Sequence, residues 1–508
     1  MDPVPSSSQA PEPSTKKAKK RFIGSKTVKS LKSRAAVPIA NQIPQDILDD
    51  LLLNAAIKQL PSNYSFEIHK TIHHIRNNGA TMVALQMPEG LQMFGCTIAD
   101  IIERFTDALT LIMGDVTYGA CCIDDYTAVA LGCDMLIHYG HSCLVPMDQT
   151  MIKTLYVFVE IAVDSRHLAQ TIRLNFPDDR SLFHESLLDG QVSNADTPAG
   201  TIIGRPNHLR IEGPSKTQDE ANDDSSCVIV QPSPARTRLA LVSTIQFVAA
   251  LQQLKEDLSV EYGEEKLTVT PVTDDPLPKL WTGVYEATIP RSKPLSPGEL
   301  LGCTAPPVGD VDALIYLGDG RFHLESVMIE NPHIPAFRYD PYSKKLTREY
   351  YGHREMCDIR NNAVQVARKS IDSFTTASLK DVTPPLWGVV LGTLGRQGSF
   401  KQLQACSTLL QASRTAIPYM PILLSELSPA KLALFNPHVA VFVQTSCPRL
   451  SIDWGYAFER PLLTPYETSV AVGKAVGWTN GRDEGMRYPM DFYSAGSPWA
   501  ISRMKGEY

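Results

Sequence analysis

Short apolar runs rich in valine, isoleucine and leucine, each closed by glycine, proline or small polar residues, recur along the chain. TMVALQMPEG (Thr81–Gly90), TRLALVSTIQF (Thr237–Phe247) and LWGVVLGTLGRQG (Leu386–Gly398) are of this kind. Their unbroken hydrophobicity predicts strands buried on both faces, each feeding a helix, as in a parallel sheet. A second run follows each one: CDMLIHYGHSC (Cys133–Cys143), VDALIYLGDGR (Val311–Arg321) and HVAVFVQTSCPR (His438–Arg449). The separation is about fifty residues in the first and third cases and about twenty more in the middle one, a repeat on the scale of a βα unit. Leu136–Gly140, Leu314–Gly318 and Val441–Thr445 are then equivalent positions. The fold class expected is α/β, with three related small parallel-sheet domains flanked by helices.

Helical periodicity marks the start of the folded region. In NQIPQDILDDLLLNAAIKQLP, Pro44 suits a first turn, aspartates follow it and Pro61 stops the helix. A second helix is expected from about Ser65 to Asn78, with Phe66, Ile68, Ile72 and Ile75 on one side. Its His69 and His73 have the i, i+4 spacing of metal ligands, but no acidic or cysteine partner lies near them, which favours a plain surface face. The resulting division is a tail over residues 1–38, a first domain with its leading helices over 39–176, and a polar insertion over 177–235. A second domain over 236–375 and a third with a C-terminal extension over 376–508 complete it. A further polar stretch, Thr273–Glu299, reads as the reason the middle repeat is longer.

Composition narrows the function classes. The chain has 508 residues, 43% hydrophobic and 20% charged, with a formal net charge of −7. Mild acidity gives no reason to expect nucleic acid or an anionic membrane as partner. No apolar run approaches the roughly 20 residues that cross a bilayer. The opening MDPVPSSSQAPEPS lacks the apolar segment of a signal peptide, so a cytoplasmic location is expected. The tail is rich in Pro, Ser and Lys and reads as disordered. Its KKAKKR run (Lys16–Arg21) suits a solvated basic tail better than a nuclear signal.

Ten cysteines without dense regular spacing suit a reducing compartment, where a working cysteine acts through metal or catalysis. In open α/β sheets, ligands gather at the carboxyl ends of strands. One cysteine per expected domain lies in a turn near such a place, bounded by small residues or proline: Cys121 in GDVTYGACCIDDYTA, Cys303 in LSPGELLGCTAP, and Cys447 after HVAVFVQTS. Cys133, Cys227, Cys357 and Cys406 lie in helical, apolar or inserted contexts, where a thiol is usually a small hydrophobe. Cys96 and Cys143 lie near strand ends. Three thiolates would suit a 4Fe–4S cluster with one iron left open. Spacing alone leaves two readings standing, that cluster or three buried core thiols, because no CxxC pair exists to mark a local site. A zinc-stabilised binding module is the weaker third class for the same reason.

Beyond these residues the chain resembles the diphthamide biosynthesis family, in its branch of catalytic subunits of eukaryotic 2-(3-amino-3-carboxypropyl)histidine synthases. The motifs that carry the resemblance are GDVTYGACCIDDYTA, IHYGHSCLVP, LVSTIQF, LGCTAP, YLGDGRFHLES, RYDPYSK, LGTLGRQG, CPRLSIDWG and PLLTPYE, spread from about Met87 to Tyr493 with the insertions excluded. The resemblance implies three homologous domains in a pseudo-threefold arrangement around a central 4Fe–4S cluster. Carried onto this chain, its ligands are Cys121, Cys303 and Cys447. Relatives with a non-cysteine after YGAC make Cys122 the neighbour and Cys121 the ligand.

It also implies S-adenosylmethionine as cofactor, bound at the open iron. One electron cleaves the bond from sulfur to the methionine γ-carbon, releasing methylthioadenosine. The resulting 3-amino-3-carboxypropyl radical adds to imidazole C2 of a histidine in translation elongation factor 2, the first step of diphthamide synthesis. No catalytic residue beyond the cluster ligands is implied. The CxxxCxxC loop of ordinary radical enzymes of this cofactor is absent. The expected partners are a paralogous second subunit in a heterodimer and a small electron-donor protein. That paralogue typically lacks the middle cysteine, so Cys303 favours the catalytic role over a structural or electron-donating partner, the alternative function.

Two glycine turns invite a cofactor role. Gly318-Asp319-Gly320-Arg321 and Leu394-Gly395-Arg396-Gln397-Gly398 follow expected strand ends. Their backbone N–H groups and arginine forks suit the carboxylate or ribose end of the cofactor. The competing reading is a strand–helix turn whose arginine is matched to a neighbouring carboxylate. Neither is a GxGxxG fingerprint, which argues against a nicotinamide cofactor. His138, His141 and His323 flank the same region, where a hydrogen-bonded structural role is favoured over a proton shuttle.

Overall fold

The computed structural model of the chain describes residues 43–491 apart from 115–122, 141–149, 186–234, 264–279, 294, 378–385, 397, 399 and 479–486, together with 494, 496, 497 and 500. The basic tail, most of the long insertion, and Cys121, Cys122, His141, Cys143 and Cys227 lie outside the described residues.

Two helices, Gln45–Leu48 and Leu51–Ile57, stand where one was expected. Asp50 divides them, because its carboxylate accepts from the N–H groups of Leu52 and Leu53 at 2.9 and 3.0 Å and so starts a new helix. The next helix begins at Ile68 rather than Ser65 and runs to Asn78. Tyr64–Ser65 (β1) is drawn instead into an antiparallel ladder with Glu160–Ile161, and Glu67 turns left-handed (φ 49°) before the helix. Ile68, Ile72 and Ile75 are buried as expected. His69 is hydrogen-bonded to Asn54 at 2.9 Å, and no group of three ligating side chains forms among the described residues.

Three sheets repeat one plan. The first is built from β2 (Met82–Gln86), β3 (Leu109–Ile112), β4 (Met135–Tyr139) and β5 (Lys153–Val157), followed by β6 (Glu160–Ile161), the partner of β1. The second comprises β7 (Arg238–Ser243), β8 (Glu286–Thr288), β9 (Ala313–Leu317), β10 (Ala336–Asp340) and β11 (Lys345–Glu349). The third comprises β12 (Leu386–Gly392), β13 (Tyr419–Leu424), β14 (Val439–Gln444) and β15 (Leu462–Leu463). Their orders are β3-β2-β4-β5, β8-β7-β9-β10-β11 and β13-β12-β14-β15. All neighbours are parallel except β10 and β11. The paired runs of the repeat are the central neighbours each time, in registers Val83↔Met135, Leu239↔Ala313 and Leu386↔Val439. Strand order therefore reverses between those two strands in every sheet, which opens a crevice at their carboxyl ends.

β8 lies within the polar stretch Thr273–Glu299, which thus contributes an edge strand as well as extra length. Its single buried residue, Ala287, explains why no hydrophobic run announced it. The helix Ser165–Asn175, placed by sequence at the end of the first domain, packs into the core of the second sheet with Leu168, Ala169 and Ile172. Its Arg173 is fully buried and donates to the carbonyls of Trp281, Gly283, Asp257 and Val260 at 2.7–3.1 Å, which satisfies a charge that burial would otherwise penalise. The start of the insertion belongs to the same core, through Phe183 beside Phe176.

All three sheets lie within one folded unit, Ile43–Tyr508. One continuous apolar core joins the second and third sheets, with Val242, Leu314 and Tyr316 on one side and Val389, Val441 and Val443 on the other. The β1–β6 ladder touches the turn between β10 and β11 through the hydroxyls of Tyr64 and Tyr342, 3.1 Å apart. The turn after β12 touches the segment before the helix Asp125–Ala130, where the Arg396 N–H donates to the carbonyl of Ile123 at 2.9 Å. No described helix is long and apolar enough to cross a membrane.

Candidate metal centre

Cys303 sits at the tip of a tight turn. Leu301 and Thr304 exchange two backbone hydrogen bonds of 3.1 Å around Gly302 and Cys303. Glycine is required at 302, because a Cβ there would lie 1.8 Å from the Phe322 ring. Ser326 Oγ donates to the Leu301 carbonyl at 2.9 Å and fixes the base of the turn. The run into it is an extension of the sheet: Ser243 N–H donates to Gly298 and Leu300 N–H to Ser243, at 2.8 and 2.9 Å. Cys303 therefore stands just beyond the carboxyl end of β7.

Cys447 stands three residues beyond β14 and caps the helix Pro448–Trp454, with Pro448 in its first turn. Gln444, fully buried at the end of β14, braces this loop. Its amide donates to the Cys447 carbonyl and to Ser451 Oγ, both at 3.0 Å, while its oxygen accepts from Ser446 N–H at 2.8 Å. Cys447 packs against the small apolar cluster of Leu295, Leu301 and Cys303. Neither cysteine is in a disulfide. Burial pushes the Cys447 thiol up to about 12, and the neighbouring Cys303 adds to the rise, while the Arg449 backbone N–H and charge oppose it. Thiols in such a place are proton-bound unless a cation takes the proton's position.

The surroundings fit a polar group held between these loops. Ser243 Oγ, Thr304 Oγ1, Ser446 Oγ and Gln246 Oε1 are buried with no hydrogen-bond partner. Thr304 and Ser446 are the immediate neighbours of the two cysteines. Buried polar atoms are rarely left unmatched, so an unmatched hydroxyl next to each of two soft sulfur donors suits a place built for something more than packing.

Cys121 falls outside the described residues, and the next described stretch begins at Ile123. There, Asp124 N–H donates to Gln86 Oε1 at 3.1 Å, at the carboxyl end of β2. Arg396 seals the same segment from the third sheet. Its guanidinium makes a bidentate pair with the buried Asp125 at 2.7 and 2.8 Å and lies 4.6 Å over the Tyr126 ring. The arginine's side-chain bond and charge hold the Asp125 carboxyl below its ordinary value against the upward push of burial. Gly395 takes φ +58° there, 3.0 Å from the Ile123 carbonyl at its Cβ position.

The other glycine turn is also internally matched. Gly320 N–H is taken by the Asp319 carboxylate at 2.8 Å, and Gly318 N–H by the Tyr339 carbonyl at 3.1 Å. Arg321 is half exposed, 3.4 Å from Glu349 and 3.8 Å from Glu325, and donates to the Tyr350 carbonyl at 3.0 Å. Gly398 backs onto Thr445, two residues before Cys447, with only 3.0 Å to Thr445 Oγ1 at its Cβ position. His138 is buried on β4, 5.7 Å from the Tyr156 ring. Cys133, Cys357 and Cys406 are buried core residues away from the pair, and burial pushes the last two up to about 12. Gln444, Ser243, Gln246 and Arg449 were not singled out from sequence. Only Arg449 left a local trace, its i, i+4 spacing to Asp453.

Residues 87–186 and 220–482 match the family described as diphthamide synthesis protein. A protein of Schizosaccharomyces pombe named 2-(3-amino-3-carboxypropyl)histidine synthase subunit 1 is 45% identical over 91% of this chain and 85% of its own length. The human protein of that name is 45% identical over 91% and 83%. Among solved structures, Dph2 from Pyrococcus horikoshii matches with a TM-score of 0.50 and 19% identity, covering 82% of this chain and 92% of that one. The structure of the same protein with a 4Fe–4S cluster covers 84% and 93% at the same score and identity. At that identity the likeness bears on the fold.

Proposed function

The chain belongs to the diphthamide synthesis protein family, and from that premise we propose that it transfers the 3-amino-3-carboxypropyl group of S-adenosylmethionine to a histidine of translation elongation factor 2. Cys121, Cys303 and Cys447 would hold a 4Fe–4S cluster. When bound, such a cluster supplies one open iron for the cofactor and the electron for breaking its sulfur–γ-carbon bond. The observation that carries the reading is the meeting of Cys303 and Cys447, from loops that follow two different sheets, in one small apolar cluster, each cysteine next in sequence to a buried hydroxyl without a hydrogen-bond partner.

The chain's own residues have defined tasks in this reading. The turns at Cys303 and Cys447 bring the two cysteines into one small apolar cluster with Leu295 and Leu301, which leaves Cys303 buried and Cys447 half-buried. The Gly318–Arg321 and Gly395–Gly398 turns stand at the carboxyl ends of β9 and β12, where cofactors of open α/β sheets are held. Arg321 and Arg396 would hold the charged ends of the cofactor only by giving up part of the pairing they make with Glu349 and Asp125.

Anaerobic purification, an absorption spectrum and an iron count test the proposal. Cys303→Ala is expected to lose most of the iron, while Cys133→Ala, a core thiol, retains it. With dithionite and S-adenosylmethionine, the expected products are methylthioadenosine and an aminocarboxypropyl fragment, or the modified histidine when elongation factor 2 is present. Unchanged iron in Cys303→Ala, or 5′-deoxyadenosine as the main product, overturns it.

A further inference from the structure

We propose that Arg449 is a positioning residue that fixes the separation of the Cys303 and Cys447 sulfurs, so that the pair is preformed before any metal arrives. Arg449 lies two residues past Cys447, with its side chain 1% exposed. One end of its guanidinium works within its own helix, where Nε donates to Asp453 at 2.9 Å. The other end crosses to the second sheet. Nη1 donates to the carbonyl of Gly302, the residue before Cys303, at 3.2 Å, and to that of Phe322 at 2.7 Å. Nη2 donates to Glu325 at 2.6 Å. The guanidinium carbon lies 4.4 Å from the centre of the Phe322 ring, the same ring that fills the space left by Gly302.

A single planar fork thus ties the loop of one cysteine to the loop of the other. Its flat geometry fixes direction as well as distance, which a lysine ammonium does not. The second and third sheets already share an extensive apolar core, so they do not need Arg449 to stay together. What the core does not set is the placement of one backbone carbonyl beside Cys303. Residues that orient ligands in this way usually cost metal affinity when lost, even though they never touch the metal.

This inference rests on the function proposed above, and its test is chosen to be separable from it. The probe is phenylarsine oxide, which captures two thiols only when they lie close together. It is applied to the metal-free full-length chain carrying Cys121→Ser and Cys122→Ser, with Cys303→Ala as the control that defines specific capture. Arg449→Lys, which keeps the charge and loses the fork, is expected to weaken specific capture by about tenfold or more. Asp453→Asn, which loosens the arginine only within its own helix, is expected to capture like the parent. Thermal unfolding midpoints are recorded for both.

If Arg449→Lys does not fold, Glu325→Gln, which removes the charge partner of Nη2 and loosens the crossing end of the fork, is read instead and is expected to weaken capture several-fold. Parent-like capture in Arg449→Lys, or in Glu325→Gln where that variant is read, overturns the inference. So does an equal loss in Arg449→Lys and Asp453→Asn that follows their unfolding midpoints. A parent chain that holds no iron, yet shows the expected capture pattern, overturns the cluster and leaves the positioning role standing.

Discussion

Asp312, at the foot of β9, has its side chain 2% exposed and is surrounded by donors. It accepts from the Arg238 backbone N–H and the Arg180 Nε, both at 2.9 Å, and from Arg238 Nη2 at 3.0 Å. Burial pushes its carboxyl up, but the Arg238 and Arg180 bonds outweigh that and hold it at about 2. The folded state therefore prefers the ionised form more than the unfolded chain does, and the stabilisation is fully present above the ordinary value near 4. It is lost as pH falls from about 4 through about 2. Asp312→Asn is expected to lower stability at pH 7 by roughly 2 kcal/mol, with the gap closing across that window. Urea unfolding at several pH values measures it; a gap that stays constant down to pH 2 contradicts the account.

Between elements, the two arginine turns part company. Arg396 joins the third sheet to the segment after Cys122, and its partner Asp125 is fully buried. Removing the arginine leaves that buried charge with the Met151 N–H but no cation to match it, so Arg396→Ala is expected to cost about 3 kcal/mol. Arg321 is half exposed, and its ion pairs are solvent-screened. Arg321→Ala should therefore change stability by less than about 1 kcal/mol. Denaturant midpoints of the two variants decide this, and equal losses would show that exposure does not separate them. A sequence reading could place both arginines in glycine turns at strand ends. It could not see that one faces a buried aspartate 271 residues away.

For the whole molecule, the function proposed above carries an expectation of assembly, since the relatives at 45% identity are named as a subunit 1. Mixed with the paralogous subunit, the protein is expected to elute as a one-to-one heterodimer, and aminocarboxypropyl transfer to elongation factor 2 is expected to need both. Light scattering and a transfer assay check this; full activity from a homodimer of this chain alone counts against it.

The sequence by itself determined the three-sheet plan, because strands buried on both faces must be written as continuous apolar runs and their order survives as a repeat. It also separated Cys133, Cys357 and Cys406 from Cys303 and Cys447, since helical and apolar contexts differ from glycine- and proline-bounded turns at strand ends. Local chemistry misjudged what distant partners decide. Tyr64–Ser65 left the expected helix for a ladder with Glu160–Ile161, and β8 carried too little apolar surface to declare itself. Likewise, the helix Ser165–Asn175 chose the second sheet because Leu168 and Ile172 found their core there. Only the tertiary structure brought Cys303 beside Cys447 and laid Arg449 across both loops. Such meetings depend on how three sheets pack, and a linear pattern records the faces that pack without recording which faces meet.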